Sequence, residues 1–84
     1  MYTLEFSPTA LKELKKLPKN IQKQIISKLE YFLSANNPLL FASRLINFEL
    51  GQYRFRVGDY RVIFDVTEEK IIVLSLGHRK DIYR

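Results

Sequence analysis

The chain has 84 residues, a formal net charge of +5 at pH 7 and a sequence pI near 9.6. This length allows one small hydrophobic core, so we expect a single domain over residues 1–84. The excess of basic residues favours an anionic partner such as nucleic acid or an acidic protein. The sequence contains no cysteine, which excludes a disulfide scaffold and a thiolate metal site.

The hydropathy pattern predicts no membrane segment. The longest apolar run, residues 71–76, is far too short to cross a bilayer. The first residues lack the basic region followed by an apolar region that marks a secretion signal. We therefore expect a cytoplasmic protein without membrane contact.

The N-terminal part predicts a strand and a first helix. Residues 2–6 alternate between apolar and polar side chains, as in a half-buried strand. Ser7 and Pro8 then form a helix start, because serine caps helix N-termini and proline suits the first helical position. Pro18 ends this helix. The apolar residues that form its stripe are Ala10, Leu11, Leu14 and Leu17.

A second helix is predicted from about residue 19 to residues 34–38, which contain serine, asparagine and proline. Together the two helices form a helical hairpin with one apolar side. Residues 41–50 match neither the helix nor the strand pattern and are not assigned. The apolar residues at helical spacing in the second helix are Ile21, Ile25, Leu29, Phe32 and Leu33.

Residues 53–64 predict a tight β-hairpin. Two alternating strands are separated by Gly58 and Asp59, a pair that closes a two-residue turn because glycine tolerates positive φ. With that turn, Arg56 faces Arg61, and the alternation of side chains puts Arg54 on the same face. The opposite face is then apolar, with Tyr53, Phe55, Val57, Tyr60, Val62 and Phe64.

Three guanidinium groups on one small surface predict an anionic ligand, with phosphate as the obvious candidate. Like charges that face each other across strands are unfavourable by up to about 1 kcal/mol per pair, so a bound anion would relieve the repulsion. Arginine also holds phosphate oxygens in a fixed, forked geometry. All six arginines lie from Arg44 onward, whereas every earlier basic residue is a lysine. The alternative is a solvated surface whose arginines pair with Asp65 and the glutamates.

The last predicted strand is the continuous apolar run 71–76, which fits a central strand and ends at Gly77. The assembled prediction is an α+β fold. In it, a helical hairpin packs on a mainly antiparallel twisted sheet of about four strands, in the order βααβββ.

The helical hairpin, the segment YRFRVGDYRVIF and the strand that ends in GHRKDIY together resemble the RelE/ParE toxin superfamily of bacterial and archaeal toxin–antitoxin systems. The similarity covers essentially the whole chain. It implies a RelE-like toxin of a type II system that binds a cognate antitoxin. In the RelE branch, the toxin enters the ribosomal A site and cleaves the mRNA there. The resemblance therefore implies an mRNA interferase, with the ribosome and mRNA as partners.

Matched position by position, the functional basic residues of the superfamily fall on Arg54, Arg56, Arg61 and Arg79, and its C-terminal aromatic residue falls on Tyr83. The resemblance implies that the first three bind phosphate, while Arg79 stabilises the departing 5′ oxygen. It also implies that Tyr83 stacks on a base or transfers a proton.

The general base is left open between two residues. Lysine can occupy the first-strand positions in RelE itself, but this chain has arginine there, and arginine effectively cannot lose its proton. That leaves Tyr83 or His78 as the catalytic base, since imidazole exchanges a proton near neutral pH. No dense cluster of carboxylates is visible, so we expect no metal and no small-molecule cofactor.

Two other functions remain open at this point. The ParE branch shares the fold but acts without catalysis, by binding and inhibiting DNA gyrase. A third possibility is an RNA-binding module without toxicity. In each case we expect an antitoxin that covers the basic face with an extended acidic or amphipathic segment.

Overall fold

The computed structural model describes residues 1–46 and 49–82, which form two helices on one face of a sheet. No helix in these ranges is long and apolar enough to cross a membrane. The elements in chain order are β1 (Thr3–Phe6), α1 (Pro8–Lys15), α2 (Lys19–Leu33), a short 3-10 helix (Pro38–Phe41), β2 (Ala42–Arg44), β3 (Tyr53–Val57), β4 (Tyr60–Thr67) and β5 (Lys70–His78).

The described strands form one five-stranded sheet in the order β1-β5-β4-β3-β2. β1 runs parallel to β5, and all other neighbours are antiparallel. The predicted α+β class and helical hairpin are confirmed. The additional strand is β2, which lies in the unassigned stretch 41–50. It has only 3 residues, too few to show an alternating pattern.

The start of α1 is built as predicted, because Ser7 caps it. Its Oγ accepts the N–H of Ala10 at 3.0 Å and donates to the carbonyl oxygen of Leu74 at 3.0 Å, which also ties the helix to β5. Leu11 departs from the predicted stripe and is 41% exposed. Successive helical residues are about 100° apart, so Leu11 lies at the margin of the stripe centred on Ala10 and Leu14.

The core lies between the helices and the sheet. A row of phenylalanines crosses it, with ring centroids 4.7 Å apart for Phe32 and Phe55 and 4.3 Å apart for Phe55 and Phe64. This row joins α2 to β3 and β4. The other buried members of the cluster are Ala10, Leu14, Ile25, Leu29, Val57, Val62, Ile71, Val73 and Leu76.

The β3–β4 hairpin has the predicted register, in which Val57 faces Tyr60 and Arg56 faces Arg61. Gly58 opens the turn at a φ of 59°, a left-handed conformation that glycine adopts without steric conflict. The register shifts once further along, between Ile63 and Phe64, where a β-bulge interrupts the pairing of β4 with β5. The hairpin turn lies beyond this bulge, at the end of the sheet where β5 finishes.

Candidate functional site

The predicted grouping of three arginines is present in the structure. Arg56 faces Arg61 directly, and Arg54 lies one side-chain position along the same face of β3. Phe55 and Val62, which alternate with these residues, are buried against the helices. The arginines therefore lie on the side of the sheet away from the helices, and we call Arg54, Arg56 and Arg61 the arginine face.

Arg61 is the buried member of the arginine face, with 6% of its surface exposed. Its Nη1 donates to the carbonyl oxygens of Gly58 at 2.9 Å and Tyr60 at 3.0 Å. These hydrogen bonds fix the orientation of the guanidinium without neutralising its charge. Residues 1–46 and 49–82 provide no ion-pair partner for it. Arg61 is thus a positioned cation beside the hairpin turn.

Arg56 and Arg54 differ in accessibility. Arg56 is exposed, whereas Arg54 is half-buried between Ser43 of β2 and Ile63 of β4. A ligand approaching from solvent meets Arg56 first, and the mostly buried Arg61 lies next to it across the strand pair. Their like charges face each other across the strand pair, an arrangement that an anion between them would stabilise.

Further from the hairpin turn, the same face of the sheet is covered by the segment that contains Gly51 and Gln52. Ile63 is 0% exposed, and a Cβ added to Gly51 would lie only 2.6 Å from its Cγ2. Gln52 fastens the covering chain: its N–H donates to Asp65 Oδ1 at 2.9 Å, and its Oε1 accepts the N–H of Val66 at 3.0 Å. Asp65 therefore serves to hold this segment. The accessible arginine site is confined to the hairpin end of the sheet.

Arg79 joins the site from the end of β5. Its main-chain N–H donates to the carbonyl oxygen of Asp59 at 2.8 Å, which places it beside the hairpin turn. Its Nε lies 3.8 Å from Asp59 Oδ1, and both side chains are more than half exposed. An exposed ion pair of this length contributes little stability, so the guanidinium can turn toward an anion at low cost.

His78 lies on the other face of the sheet. It pairs with Tyr60, and their rings meet edge to face with centroids 5.4 Å apart. Tyr60 belongs to the apolar, helix-facing side of β4. The Nδ1 atom of His78 accepts the N–H of Lys80 at 3.1 Å. The structure therefore does not bring His78 onto the arginine face, and it gives the imidazole a role in the turn after β5.

Tyr83 lies outside the described residues, but the chain that leads to it turns back over β5. The N–H of Ile82 donates to the carbonyl oxygen of His78 at 3.0 Å. The Cδ1 of Ile82 lies 3.8 Å from where a Cβ on Gly77 would be, and Gly77 faces Arg61 across the strand pair. The last turn thus packs beside Arg61. Sequence reasoning missed Ile82, although the glycine that lies near the candidate site residue Arg61 indicates that another segment packs closely there.

The positive charge of the site comes from guanidinium groups. Within residues 1–46 and 49–82, no three histidine, aspartate or glutamate side chains lie close enough together to hold a metal ion. The structure gathers Arg56, Arg61 and Arg79 around one turn, with Arg54 one step further along the sheet. This arrangement can hold a phosphate group from more than one side.

A family model described as the ParE toxin of the type II toxin–antitoxin system parDE matches residues 4–83, nearly the whole chain. The chain belongs to the RelE/ParE superfamily of type II toxins. Toxin RelE3 of Methanocaldococcus jannaschii is 36% identical over 80 residues, which cover 93% of this chain and 91% of that protein. The mRNA interferase toxin RelE of Escherichia coli is 32% identical over 82 residues, which cover 94% and 84%.

Solved toxin–antitoxin complexes have the same fold. The toxin–antitoxin complex RelBE2 of Mycobacterium tuberculosis contains a chain that matches with a TM-score of 0.80 and 30% identity, over 95% of this chain and 93% of that one. The RelB–RelE antitoxin–toxin complex of Methanococcus jannaschii matches with a TM-score of 0.72 and 32% identity, over 94% of each chain. These comparisons establish a toxin of a type II toxin–antitoxin system. The matches carry both RelE and ParE names, so membership of the superfamily does not by itself decide which activity this toxin has. The residues of the site bear on that question.

Proposed function

We propose that this toxin is a ribosome-dependent, metal-independent endoribonuclease that cleaves mRNA at the A site. The observation that carries this proposal is the geometry of Arg61, a mostly buried guanidinium that two turn carbonyls hold in place directly opposite the exposed Arg56. Preorganised charges of this kind are usually the largest contribution to catalysis of reactions that develop negative charge. Cleavage of RNA at phosphate is such a reaction.

In the proposed reaction, the 2′ oxygen of one nucleotide attacks the adjacent phosphorus, and the bond from phosphorus to the 5′ oxygen breaks. The products are a 2′,3′-cyclic phosphate and a free 5′ hydroxyl. Arg56 and Arg61 bind the non-bridging oxygens, whose negative charge grows in the transition state, while Arg54 holds the neighbouring backbone. Arg79, a second exposed cation beside the turn, stabilises the departing 5′ oxygen. These guanidiniums supply the charge that a metal ion provides in other nucleases.

The reaction also needs a base for the 2′ hydroxyl and an acid for the 5′ oxygen. Two residues were open for proton transfer, Tyr83 and His78. His78 lies on the helix-facing side of β5 and uses Nδ1 in a backbone hydrogen bond. We therefore assign proton transfer or base stacking to Tyr83, which follows the turn that packs beside Arg61.

The proposed partners are the ribosome, mRNA and a cognate antitoxin in the cytoplasm. Several superfamily members have been solved as complexes with RelB antitoxins. An acidic antitoxin segment over the arginine face would neutralise the charges that RNA needs and so block binding. No cofactor is required by this chemistry.

The test adds the purified toxin to ribosomes programmed with a defined mRNA and maps new 5′ ends. We expect cuts at the A-site codon that require the ribosome and disappear in Arg79→Ala. Arg44→Ala is the matched control, because Arg44 is also exposed but lies on β2, away from the hairpin turn. The proposal would be contradicted if naked mRNA were cleaved as fast as ribosome-bound mRNA, or if Arg79→Ala cleaved as fast as the wild type.

The second candidate is inhibition of DNA gyrase, as in the ParE branch, and the ParE name of the matching family model favours testing it. It predicts no mRNA cleavage under any condition and inhibition of supercoiling by purified gyrase. The same preparation of toxin is therefore assayed in both reactions. Supercoiling inhibition without any new 5′ ends would decide for this alternative.

A further inference from the structure

A cleft of about 500 Å³ lies between α2 and the hairpin turn, on the helix side of the sheet. Four of its lining residues form one stripe along α2, at the i, i+3, i+4 and i+7 positions that share a helix face. Two more come from the hairpin. The lining residues are Gln24, Ser27, Lys28, Tyr31, Val57 and Gly58.

The chemistry of the cleft suits an unpaired nucleobase. Gln24 and Ser27 provide hydrogen-bond donors and acceptors, and Lys28 provides a positive charge. Tyr31 is 59% exposed, so its ring is accessible for stacking. The Lys28 Nζ lies over that ring, 5.3 Å from its centre, in a cation–π contact that places a positive charge at the ring. Bases of single-stranded RNA bind to such combinations of aromatic ring and basic side chain.

Two observations favour RNA over other ligands of this cleft. Its lining contains no carboxylate, whereas the two other clefts described on this protein both include Glu30. It also shares a residue with the arginine site: Gly58 lines the cleft, and its carbonyl oxygen accepts the hydrogen bond from Arg61. One strand of RNA that passes around the hairpin turn can therefore meet both surfaces.

We propose that this cleft, with Tyr31 as its stacking platform, binds an unpaired base of the RNA whose phosphate lies at the arginine face. The proposal rests on the proposed ribonuclease function and extends it, because it adds a subsite for a nucleotide beside the one that is cut. Gly58 forms the wall of the cleft at the turn, where its φ of +59° disfavours other residues; a Cβ there would lie 3.5 Å from Gln24 Nε2, an ordinary contact distance.

The test measures binding of a four-nucleotide adenosine RNA by NMR titration of isotope-labelled toxin. All 2′ hydroxyls are methylated, which removes the attacking group and keeps the RNA intact. Four further oligomers each lack one base. We expect Tyr31→Leu to weaken binding about 5-fold or more, which corresponds to stacking of about 1 kcal/mol, and Tyr31→Phe to bind like the wild type.

The oligomer that lacks the docked base distinguishes stacking from other effects. We expect it to bind wild type and Tyr31→Leu equally, while the other three oligomers still distinguish the two proteins. Equal weakening of all oligomers by Tyr31→Leu would overturn the subsite, as would no weakening at all. If the cleft binds a protein segment instead of a base, Tyr31→Leu would not weaken the binding of any oligomer.

Arginine variants separate this inference from the function on which it rests. Arg56→Ala should weaken every oligomer, with or without the base. If Arg56→Ala weakens binding but Tyr31→Leu does not, only the base subsite is wrong. If Arg56→Ala binds all oligomers as well as the wild type, the arginine face does not bind RNA and the proposed function fails.

Discussion

The two sides of the β3–β4 hairpin are built from alternate residues of the same strands but have opposite properties. On the helix-facing side, Phe55 and Phe64 are 1% and 0% exposed and their rings stack. On the other side, Arg56 is exposed and faces Arg61. Neighbouring residues of a strand point to opposite faces, so adjacent residues of this hairpin belong to the buried core and to the arginine face in turn.

Arg61 is the exception to this separation. It lies on the charged side, yet it is nearly as buried as the core and hydrogen-bonds to the turn. Substitutions on the packed side should therefore act on stability, those at exposed arginines on activity, and those at Arg61 on both. The following experiments test that division, beginning with the largest expected effect.

Phe64→Ala should leave a large fraction of the molecules unfolded. Truncation of a fully buried phenylalanine costs about 3 to 5 kcal/mol, which is comparable to the whole stability expected for a domain of this size. Urea denaturation followed by circular dichroism measures the loss. A loss below about 1 kcal/mol would show that the phenylalanine row does not hold the helices to the sheet.

Arg61→Ala should reduce mRNA cleavage about 100- to 1,000-fold, because it removes a preorganised charge from the transition state. It should also destabilise the fold by about 1 to 3 kcal/mol, since two carbonyl oxygens lose their donor. Cleavage is assayed at a temperature where the variant remains folded. Arg61→Lys retains the charge without the fork, and full activity of that variant would rule out a geometric role for the guanidinium.

Gly51→Ala tests the covered half of the arginine side. The added Cβ would clash with Ile63 Cγ2, and the φ of +150° at this position favours glycine. We expect a loss of about 1 to 3 kcal/mol in the free energy of unfolding. Cleavage per folded molecule should stay unchanged, because the accessible arginines lie at the other end of the sheet. A stable but inactive variant would place the site here instead.

His78→Ala should have the smallest effect, with cleavage lowered by less than about 10-fold. A proton-transfer residue typically contributes about 100- to 10,000-fold, and this larger loss is expected for Tyr83→Phe in the same ribosome assay if Tyr83 transfers the proton. Single-turnover rates of both variants make the comparison direct. A large loss in His78→Ala together with normal cleavage by Tyr83→Phe would reverse the assignment.

The hairpin could be predicted because its signals are local. A Gly-Asp turn and strict alternation over residues 53–64 determine which residues face each other, and the register agrees at each pair. The helix start at Ser7 is local for the same reason, since a cap and its partner lie three residues apart. The predicted burial of Leu11 was wrong, because an apolar stripe on a short helix does not show how far around the helix the contact with the core extends.

Contacts between distant segments could not be predicted from these patterns. The three-residue strand β2, the cover that Gly51 forms over Ile63, and the meeting of Arg79 with Asp59 each depend on how the sheet is assembled. The same holds for His78, which is adjacent to Arg79 in the chain but faces the helix side of the sheet.

By itself the sequence determined the α+β class, the helical hairpin, the β3–β4 register and the superfamily, because periodicity, turn residues and motif spacing act over short distances. Only the tertiary structure decided that Arg61 is held by the turn, that the accessible site is limited to one end of the sheet, and that a cleft opens beside it. These features arise from burial and from contacts across the sheet, which exist only after the strands have paired and the core has closed.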